Sequence, residues 1–323
     1  MKLKISVALC TYNGGKYVER QLKSIIGQSR IPDEIIISDD SSEDDTREIL
    51  GSIAPTAPLP IHLNVNPARL GSTKNFEKAT LHCSGDIIVF SDQDDWWHPQ
   101  KLERIEKIFI EDDSVGAVFS NAEMIDANGS PLGYTLWESV KFSKYEQAKF
   151  LGNHAIEVLV RHNVVNGASL AIRSSLRPLL IPFPDSGIHD EWIALLISAV
   201  SHFSFVSDPL IQYRQHGQQQ LGGEKKGFLR HFSESNQYSS DYFSRRSEFF
   251  AQVRDRLQSS SCYLLFPGVI GVLNGKIIHL KNRASIIRRE EGWILLWLNN
   301  VFSARYHRYS SGFISAARDI LLP

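Results

Sequence analysis

Residues 87–99 read Ile87-Ile88-Val89-Phe90-Ser91-Asp92-Gln93-Asp94-Asp95-Trp96-Trp97-His98-Pro99. The apolar start of this stretch predicts a buried strand, and three carboxylates follow it within four residues. Pro99 is suited to the first position of a helix. Because carboxylates this close repel one another and raise one another's pKa, a divalent cation would relieve the repulsion. An acidic loop that caps the following helix is the alternative interpretation.

The rest of the N-terminal half alternates strand-like and helix-like segments. Apolar runs at 5–10, 34–38 and 61–65 predict three more strands, and apolar residues at helical spacing lie between them. This β-α-β alternation predicts an α/β fold with a mostly parallel sheet and right-handed crossovers. Ligands bind beyond the carboxyl ends of such strands, so Asp39, Asp40 and the Asp92 cluster are expected at one shared edge.

The second half of the chain shows a less regular alternation of strand-like and helix-like segments. Strands are expected at 115–119, 164–172, 203–206 and 210–213, with a turn at 126–129 and a helix after Asp190. Gly217, Gly222 and Gly223 punctuate a polar loop that suggests a domain boundary, so residues 1–223 and 224–323 are predicted to form separate units. The second unit is expected to be mainly helical.

Composition excludes several classes of protein. The 323 residues include 35 basic and 36 acidic side chains, so the net charge of -1 gives no bias toward nucleic acid. Three widely spaced cysteines argue against a disulfide framework, and Cys10 and Cys83 are interpreted as core residues. No signal-peptide pattern follows Met1, and no stretch reaches the length of a membrane span. A cytoplasmic protein is predicted.

Carboxylates at two strand ends suit a nucleotide. One can accept a hydrogen bond from the base or the ribose, while another holds the diphosphate through a metal ion. The sequence contains neither of the glycine-rich phosphate loops, G-x-G-x-x-G or G-x-x-x-x-G-K-[ST]. A diphosphate would therefore be held by metal, which favours a nucleotide-diphosphate leaving group over a dinucleotide or ATP.

Five segments together resemble family 2 glycosyltransferases with the GT-A fold: residues 7–13, 38–42, 91–95, 188–196 and 208–217. The last two are most similar to the rhamnosyltransferase-type branch that builds bacterial surface polysaccharide. The resemblance covers about residues 3 to 220. It implies a GT-A domain over 1–223, with a Rossmann-like sheet flanked by helices. Residues 224–323 carry no motif of the family, and the helical spacing of their apolar residues predicts a C-terminal helical extension.

The resemblance implies a role for each polar residue at the sheet edge. Tyr12 would lie against the nucleotide base, Asp40 would accept from the base imide, and Asp39 would support it. Asp92 would reach the ribose and the metal, and Asp94 would be the main ligand of Mg²⁺ or Mn²⁺. The implied nucleotide-binding set is Tyr12, Asn13, Asp39, Asp40, Asn75 and Asp92, and the implied metal ligands are Asp92, Asp94 and His216. A solvent-facing loop histidine is the alternative for His216.

Asp190 is the predicted general base. The family is inverting, so one carboxylate should deprotonate the acceptor hydroxyl as it attacks the anomeric carbon. Glu191 stands where this branch more often has an aromatic residue, so Glu191 is predicted to share or take over that role. A helix N-cap is the alternative for Asp190. Trp96, Trp97 and Trp192 are interpreted either as platforms for sugar faces or as core residues.

The resemblance implies an inverting, metal-dependent hexosyl- or deoxyhexosyltransferase. Its donor would be a nucleotide-diphosphate sugar such as dTDP-rhamnose, and its acceptor a saccharide or lipid-linked saccharide in surface polysaccharide synthesis. Basic and aromatic residues in 276–322 suggest peripheral contact with the inner face of the membrane, or simply helices packed on the main domain. Two other functions stay open. One is a sugar-nucleotide pyrophosphorylase, faintly suggested by Gly14-Gly15-Lys16, and the other is a non-catalytic nucleotide-sugar-binding scaffold.

Overall fold

The computed structural model describes residues 2–185, 187–216 and 239–321. Within these residues, one sheet has the strand order β3-β2-β1-β4-β8-β6-β9-β5, and β7 pairs with β6. Its strands are β1 Ile5–Thr11, β2 Glu34–Asp39, β3 Ile61–Val65, β4 Ile87–Ser91, β5 Trp96–Trp97, β6 Val115–Ile125, β7 Pro131–Thr135, β8 Ala171–Arg173 and β9 His202–Arg214.

Helices cover both faces of this sheet and form most of the described C-terminal region. In the main part of the chain they are α1 Gly15–Ile26, α2 Thr46–Ile53, α3 Ser72–His82, α4 Lys101–Glu111, α5 Leu136–Ser139, α6 Lys144–Leu151, α7 Ala155–Leu159, α8 Arg177–Leu180 and α9 His189–Val200. Five more follow: α10 Ser240–Ser259, α11 Val269–Ile287, α12 Trp293–Phe302, α13 Arg305–Tyr309 and α14 Phe313–Leu321.

The first half of the sheet is parallel, as predicted. β1 pairs with β2 on one side and with β4 on the other, and β2 pairs with β3. Thr11 lies opposite Asp39, and Leu9 lies opposite Ser91. The carboxyl ends of β1, β2 and β4 therefore meet at one edge, where their polar extensions converge.

The second half of the sheet is mixed. β8 runs antiparallel to β4 and β6, whereas β9 runs parallel to β6. The strand predicted over 164–172 is wrong for most of its length, because a 3₁₀ turn at Gly167–Ser169 interrupts it before β8. The two strands predicted at 203–206 and 210–213 form a single strand. Its pairing with β6 shifts register near Pro209, which lets the strand continue past a residue with no N–H.

The turn predicted at 126–129 is confirmed, and it joins β6 to β7. The prediction of Pro99 at the first helical position is wrong, because α4 begins at Lys101 with Gln100 as its N-cap. Trp96 and Trp97 first pair with β9, and the backbone N–H of His98 still donates to Leu210. This pairing keeps the chain extended until just before Pro99.

Alternating side chains divide the core between the two faces of the sheet. Ile5, Val7 and Leu9 of β1 enter one cluster, while Ala8 and Cys10 enter the other. Burial of Cys10 and Cys83 confirms their interpretation as core residues.

The C-terminal helices share the larger of these two clusters. Phe249, Phe250 and Val253 of α10 belong to the same buried set as Trp192 and Ile193 of α9. The predicted glycine-rich loop and the boundary at 223/224 lie outside the described residues. The described part of the C-terminal region packs on the sheet domain through a continuous apolar core.

Candidate functional site

A cavity of about 560 Å³ opens at the carboxyl edge of β1, β2 and β4. Polar side chains from distant parts of the chain line it. Those predicted from the sequence are Tyr12, Asn13, Asp40, Asn75, Asp92, Asp94, Asp190 and His216; the others include Lys16, Tyr17, Arg69, Gln93, Asn166, His189 and Tyr213. Asp39 and Glu191 are not among the lining residues.

Asp92 and Asp94 form the acidic part of the cavity wall. Burial, together with the charges of Asp94 and Asp190, raises the pKa of Asp92 to about 7. These electrostatic effects mean that carboxylates from β4 and α9 are close enough to oppose each other's ionisation. A cation in the cavity would reverse that opposition, because it favours the ionised form of every carboxylate around it.

His216 lies beside Asp94 at the end of β9. Its Nε2 is 2.6 Å from Oδ2 of Asp94, and its ring stacks on Tyr17 with centroids 5.2 Å apart. The interpretation of His216 as a solvent-facing loop residue is therefore wrong. Arg214, which is buried, donates from Nε to the carbonyl oxygen of Asp94 and so holds the acidic loop against β9.

Asp95 is buried behind the cavity. Its Oδ1 accepts from the backbone N–H of Arg214, whereas Oδ2 has no hydrogen-bond partner within the described part of the chain. Burial and the charges of Asp94 and Asp92 raise its pKa well above the ordinary range. Lys101 is also fully buried; its Nζ donates to the carbonyl oxygen of Ala168 and lies 3.5 Å from the Trp97 ring centroid.

The donor set suits a hard divalent cation that shares its coordination with a phosphate. Two carboxylates and one imidazole lie on the same wall, and magnesium-type ions use few protein ligands together with substrate oxygens. No three histidine, cysteine or acidic side chains within 2–185, 187–216 and 239–321 already form a closed metal-binding group. The arrangement fits a cation whose coordination is completed by the phosphate oxygens of a bound nucleotide.

Asp39 and Asp40 have different surroundings. Asp39 is fully buried and accepts hydrogen bonds from Thr11 Oγ1 and from the N–H and hydroxyl of Ser42. It therefore fixes the turn after β2, which agrees with a supporting role. Asp40 lines the cavity and accepts from the backbone N–H groups of Leu70 and Gly71 at 2.7 and 2.8 Å. Each Asp40 oxygen thus already has an internal donor.

Gln93 lies between the two cavity carboxylates, and we did not predict a role for it. Its amide accepts from the backbone N–H of Tyr12 at 2.8 Å and donates to the carbonyl of Tyr12 at 3.0 Å. This double hydrogen bond joins the ends of β1 and β4. Gly14 makes room for it, because a Cβ at that position would lie 2.2 Å from Gln93 Oε1.

Tyr12, Asn13 and Asn75 complete the wall near β1. The Arg69 guanidinium lies 4.0 Å from the centroid of the Tyr12 ring. Asn13 donates from its backbone to Ser42 Oγ and accepts from the backbone of Glu43. Asn75 is buried, and its side-chain amide donates hydrogen bonds to carbonyl oxygens at the ends of β1 and β2. Its hydrogen bonds therefore hold the strand ends together.

Asp190 reaches the cavity from the second residue of α9. Its oxygens accept from Asn163 Nδ2 at 3.1 Å and from the backbone N–H of Gly167 at 3.0 Å. Burial raises its pKa to about 7, and Glu191 adds to the rise while the Gly167 hydrogen bond opposes it. The N-cap of α9 is Ile188, so the N-cap interpretation of Asp190 is wrong. A carboxylate with a pKa near 7 suits proton transfer.

Glu191 does not share the position of Asp190, and the prediction that it shares or replaces the base is wrong. Its carboxylate points away from the cavity and forms a two-point ion pair with Arg246 of α10, with distances of 2.8 and 2.5 Å. Only 5% of Glu191 is exposed. No local pattern indicates this partner, which lies 55 residues away along the chain.

The aromatic platforms predicted near the acidic stretch are not part of the cavity wall. Trp97 and Trp192 are buried in the core, and Trp192 donates from Nε1 to the carbonyl of Leu180. Trp96 is partly exposed and packs against the Arg20 guanidinium. His189 does line the cavity; it stacks on Phe76 at 4.1 Å, and burial lowers its pKa to about 3, so it is neutral.

Basic and aromatic residues of the C-terminal region divide between core and surface. Arg283 pairs with Asp319 inside the helical region, and Tyr306 donates to the same carboxylate. By contrast, α12 buries only Asn300 and leaves Leu295 and Phe302 exposed by 73% and 84%. Among the described helices, none combines the length and apolar character that crossing a membrane requires.

Comparison with known proteins agrees with this architecture. Residues 6–164 match the model of glycosyl transferase family 2. The chain is 32% identical over 142 residues to the uncharacterized glycosyltransferase alr2836 of Nostoc, covering 44% of each chain. It is 26% identical over 226 residues to the dTDP-rhamnosyl transferase RfbG of Shigella flexneri, covering 66% of this chain and 73% of that one. The match thus spans less than half the length of alr2836.

A solved structure shows the same fold at low sequence identity. Mannosyltransferase PcManGT from Pyrobaculum calidifontis, in complex with GDP-Man and Mn²⁺, superposes with a TM-score of 0.52 at 18% identity. The superposition covers 99% of this chain and 88% of that one. The predicted GT-A fold class is confirmed, and residues 6–164 form the glycosyl transferase family 2 domain of this chain.

Proposed function

We propose that this protein transfers a sugar, with inversion, from a nucleotide-diphosphate donor to a saccharide or lipid-linked saccharide acceptor in surface polysaccharide synthesis. One observation carries the proposal: Asp40, Asp92, Asp94, Asp190 and His216 come from four separate segments and line one cavity of about 560 Å³. That volume lies within the range of small-molecule sites. dTDP-rhamnose is the first donor to test, given the similarity to RfbG.

Residues at different positions of the cavity would have different roles in the reaction. Tyr12 and Asp40, at the ends of β1 and β2, would hold the nucleoside. Asp190 would accept the proton of the acceptor hydroxyl as that oxygen attacks the anomeric carbon, and its hydrogen bonds to Asn163 and Gly167 would keep the carboxylate oriented. His189, neutral and stacked on Phe76, would close the wall beside it.

Asp92, Asp94 and His216 would hold a Mg²⁺ or Mn²⁺ ion. When bound, the ion would supply charge stabilisation for the departing diphosphate. The similar mannosyltransferase structure contains Mn²⁺ together with GDP-Man, which supports testing Mn²⁺ first. We also propose that residues 1–223 act as the transferase domain and that the protein works on the cytoplasmic side of the membrane.

A thermal-shift panel of nucleotide sugars should identify the donor. With Mn²⁺ present, the true donor is expected to raise the melting temperature as its concentration passes its dissociation constant, because a ligand that binds only the folded state stabilises it by mass action. A concentration 100 times the dissociation constant corresponds to about 2.7 kcal/mol. Donors with the wrong base or sugar should shift it less, and a flat response to dTDP-, UDP- and GDP-sugars alike would contradict the proposal.

The same panel separates the transferase from its two alternatives. A pyrophosphorylase should respond to a nucleoside triphosphate with a sugar phosphate, but Gly14 and Gly15 form the start of α1 instead of an extended phosphate loop. A scaffold should bind the donor without consuming it. Slow release of the nucleoside diphosphate from the stabilising donor, dependent on Mn²⁺, would favour the enzyme.

We further propose that the exposed face of α12 contacts an anionic membrane surface. Leu295, Phe302 and, on α14, Phe313 are each more than 70% exposed. Arg305 and Arg308 follow within six residues of Phe302, so basic side chains come directly after this apolar face in the sequence. Apolar side chains beside arginines suit the interface of a bilayer that contains anionic lipid.

Vesicle flotation tests this contact. Wild-type protein is expected to float with vesicles of phosphatidylglycerol and phosphatidylcholine, and the double variant Leu295→Ser/Phe302→Ser to remain at the bottom. Leu264→Ser is the matched control, since Leu264 is exposed and belongs to the segment between α10 and α11 instead of to α12 or α14. Truncation near residue 224 is a poorer test because it would uncover the core beneath α10. Equal flotation of all three proteins would remove the membrane proposal.

A further inference from the structure

The first turn of α9, which carries Asp190, is covered by α10 from the C-terminal region. Arg246 of α10 donates to both oxygens of Glu191, the residue after Asp190, at 2.8 and 2.5 Å. The pair is largely buried, with side-chain exposures of 24% for Arg246 and 7% for Glu191. A two-point pair between a guanidinium and a carboxylate fixes orientation as well as distance.

Phe249, one helical turn further along α10, makes a second contact with the same region. Its ring lies 6.2 Å from that of Trp192 and packs against Gly187, two residues before α9 begins. A Cβ at Gly187 would lie 2.6 Å from the Phe249 ring, and its φ of +113° also requires glycine. The start of α9 is therefore held by α10 on two sides of Asp190.

The ion pair also balances charge beside Asp190. The charged groups that interact with Asp190 are Asp92 from β4 and Glu191 on α9 itself. Glu191 in turn interacts with Arg246 of α10 and with buried Lys276 of α11. Without Arg246, Glu191 would be a buried carboxylate without its two-point partner. Loss of one member of such a pair is far more disruptive than replacement of both.

We propose that Arg246 is a positioning residue of the candidate active site, which holds Asp190 in place by pairing with Glu191. This inference deepens the proposed function and rests on it. It gives the C-terminal helical region a role in turnover: α10 supplies the outer support of the helix that presents the base. The cavity itself contains no part of Arg246, so donor binding should not depend on this residue.

Three variants test the role of Arg246. Arg246→Gln is expected to lower kcat by about tenfold or more, because small displacements of a catalytic group have large effects on rate. The dissociation constant of this variant for UDP or dTDP with Mn²⁺, whichever matches the donor that the thermal-shift panel identifies, should stay within about twofold of wild type, since binding energy and positioning of the base are separate contributions. Arg245→Gln, which removes an exposed arginine from the neighbouring position, is the matched control and should leave both constants unchanged.

Arg246→Gln/Glu191→Gln should recover most of the lost kcat, because two neutral amides can pair without leaving a buried charge. Hydrogen exchange provides a readout that needs no turnover: residues 187–196 should exchange faster in Arg246→Gln than in Arg245→Gln, and return toward wild type in the double variant. Wild-type protein that consumes no nucleotide sugar would refute the proposed function alone. Unchanged exchange and unchanged kcat in Arg246→Gln, or a double variant as slow as the single one, would overturn the role of Arg246.

Discussion

Asp190→Asn is expected to lower turnover by about 10²- to 10⁴-fold, the usual contribution of a general base. The substitution keeps the size of the side chain, and one amide oxygen can still accept from Gly167. What it removes is the ability to accept a proton. Asp190 lies on α9, whereas the residues proposed to hold the nucleoside follow β1 and β2. Binding of UDP with Mn²⁺ should therefore change little. The measurement is release of nucleoside diphosphate from the donor that the thermal-shift panel identifies.

The pH dependence gives this prediction a second, independent readout. The base works only when it is ionised, and burial raises the pKa of Asp190 to about 7. Activity should therefore rise as pH increases through about 7 and level off above it. The pKa of Asp92 is raised to a similar value, but saturating Mn²⁺ would keep Asp92 ionised, so the rise of activity with pH would report on Asp190. Asp190→Asn should lose this rise, and near-normal turnover in that variant would contradict the assignment of Asp190 as the base.

Asp94→Asn is expected to abolish metal-dependent binding of the nucleoside diphosphate. Asp94 lines the cavity and contacts His216 at 2.6 Å, so the change removes one proposed ligand and disturbs a second. Loss of a ligand-supporting contact alone typically costs about 10- to 100-fold in metal affinity, and loss of the carboxylate itself should cost more. Mn²⁺ binding in the presence of UDP or dTDP, followed by electron paramagnetic resonance, measures the effect.

The metal-free protein should respond differently to the same change. Asp94 raises the pKa of both Asp92 and Asp95, so its charge opposes theirs when no cation is present. Asp94→Asn should therefore melt no lower than wild type without metal, yet gain no stability when Mn²⁺ and UDP are added. Asp113→Asn removes an exposed carboxylate and serves as the control. Equal Mn²⁺ affinity in the two variants would place the metal elsewhere.

Local sequence determined which polar residues gather at the carboxyl edge of the parallel strands. Runs of buried aliphatic residues in β1, β2 and β4 can only be satisfied inside a sheet covered on both faces, and parallel pairing then brings their polar extensions together. Asp40, Asp92 and Asp94 were predictable for that reason. The role of Gln93 was harder to predict, because its amide pairs with a backbone group 81 positions away.

Tertiary structure decided which of two adjacent carboxylates faces the cavity. Asp190 and Glu191 are both acidic residues in the first turn of α9, so local pattern does not decide which of them faces the cavity. A helix turns about 100° between neighbours, so only one of them can point at the cavity while the other meets α10. Sequence alone thus determined an acidic sheet edge and a carboxylate at the start of α9. The packing of α10, which no local pattern specifies, decided that Arg246 takes Glu191 and leaves Asp190 to the cavity.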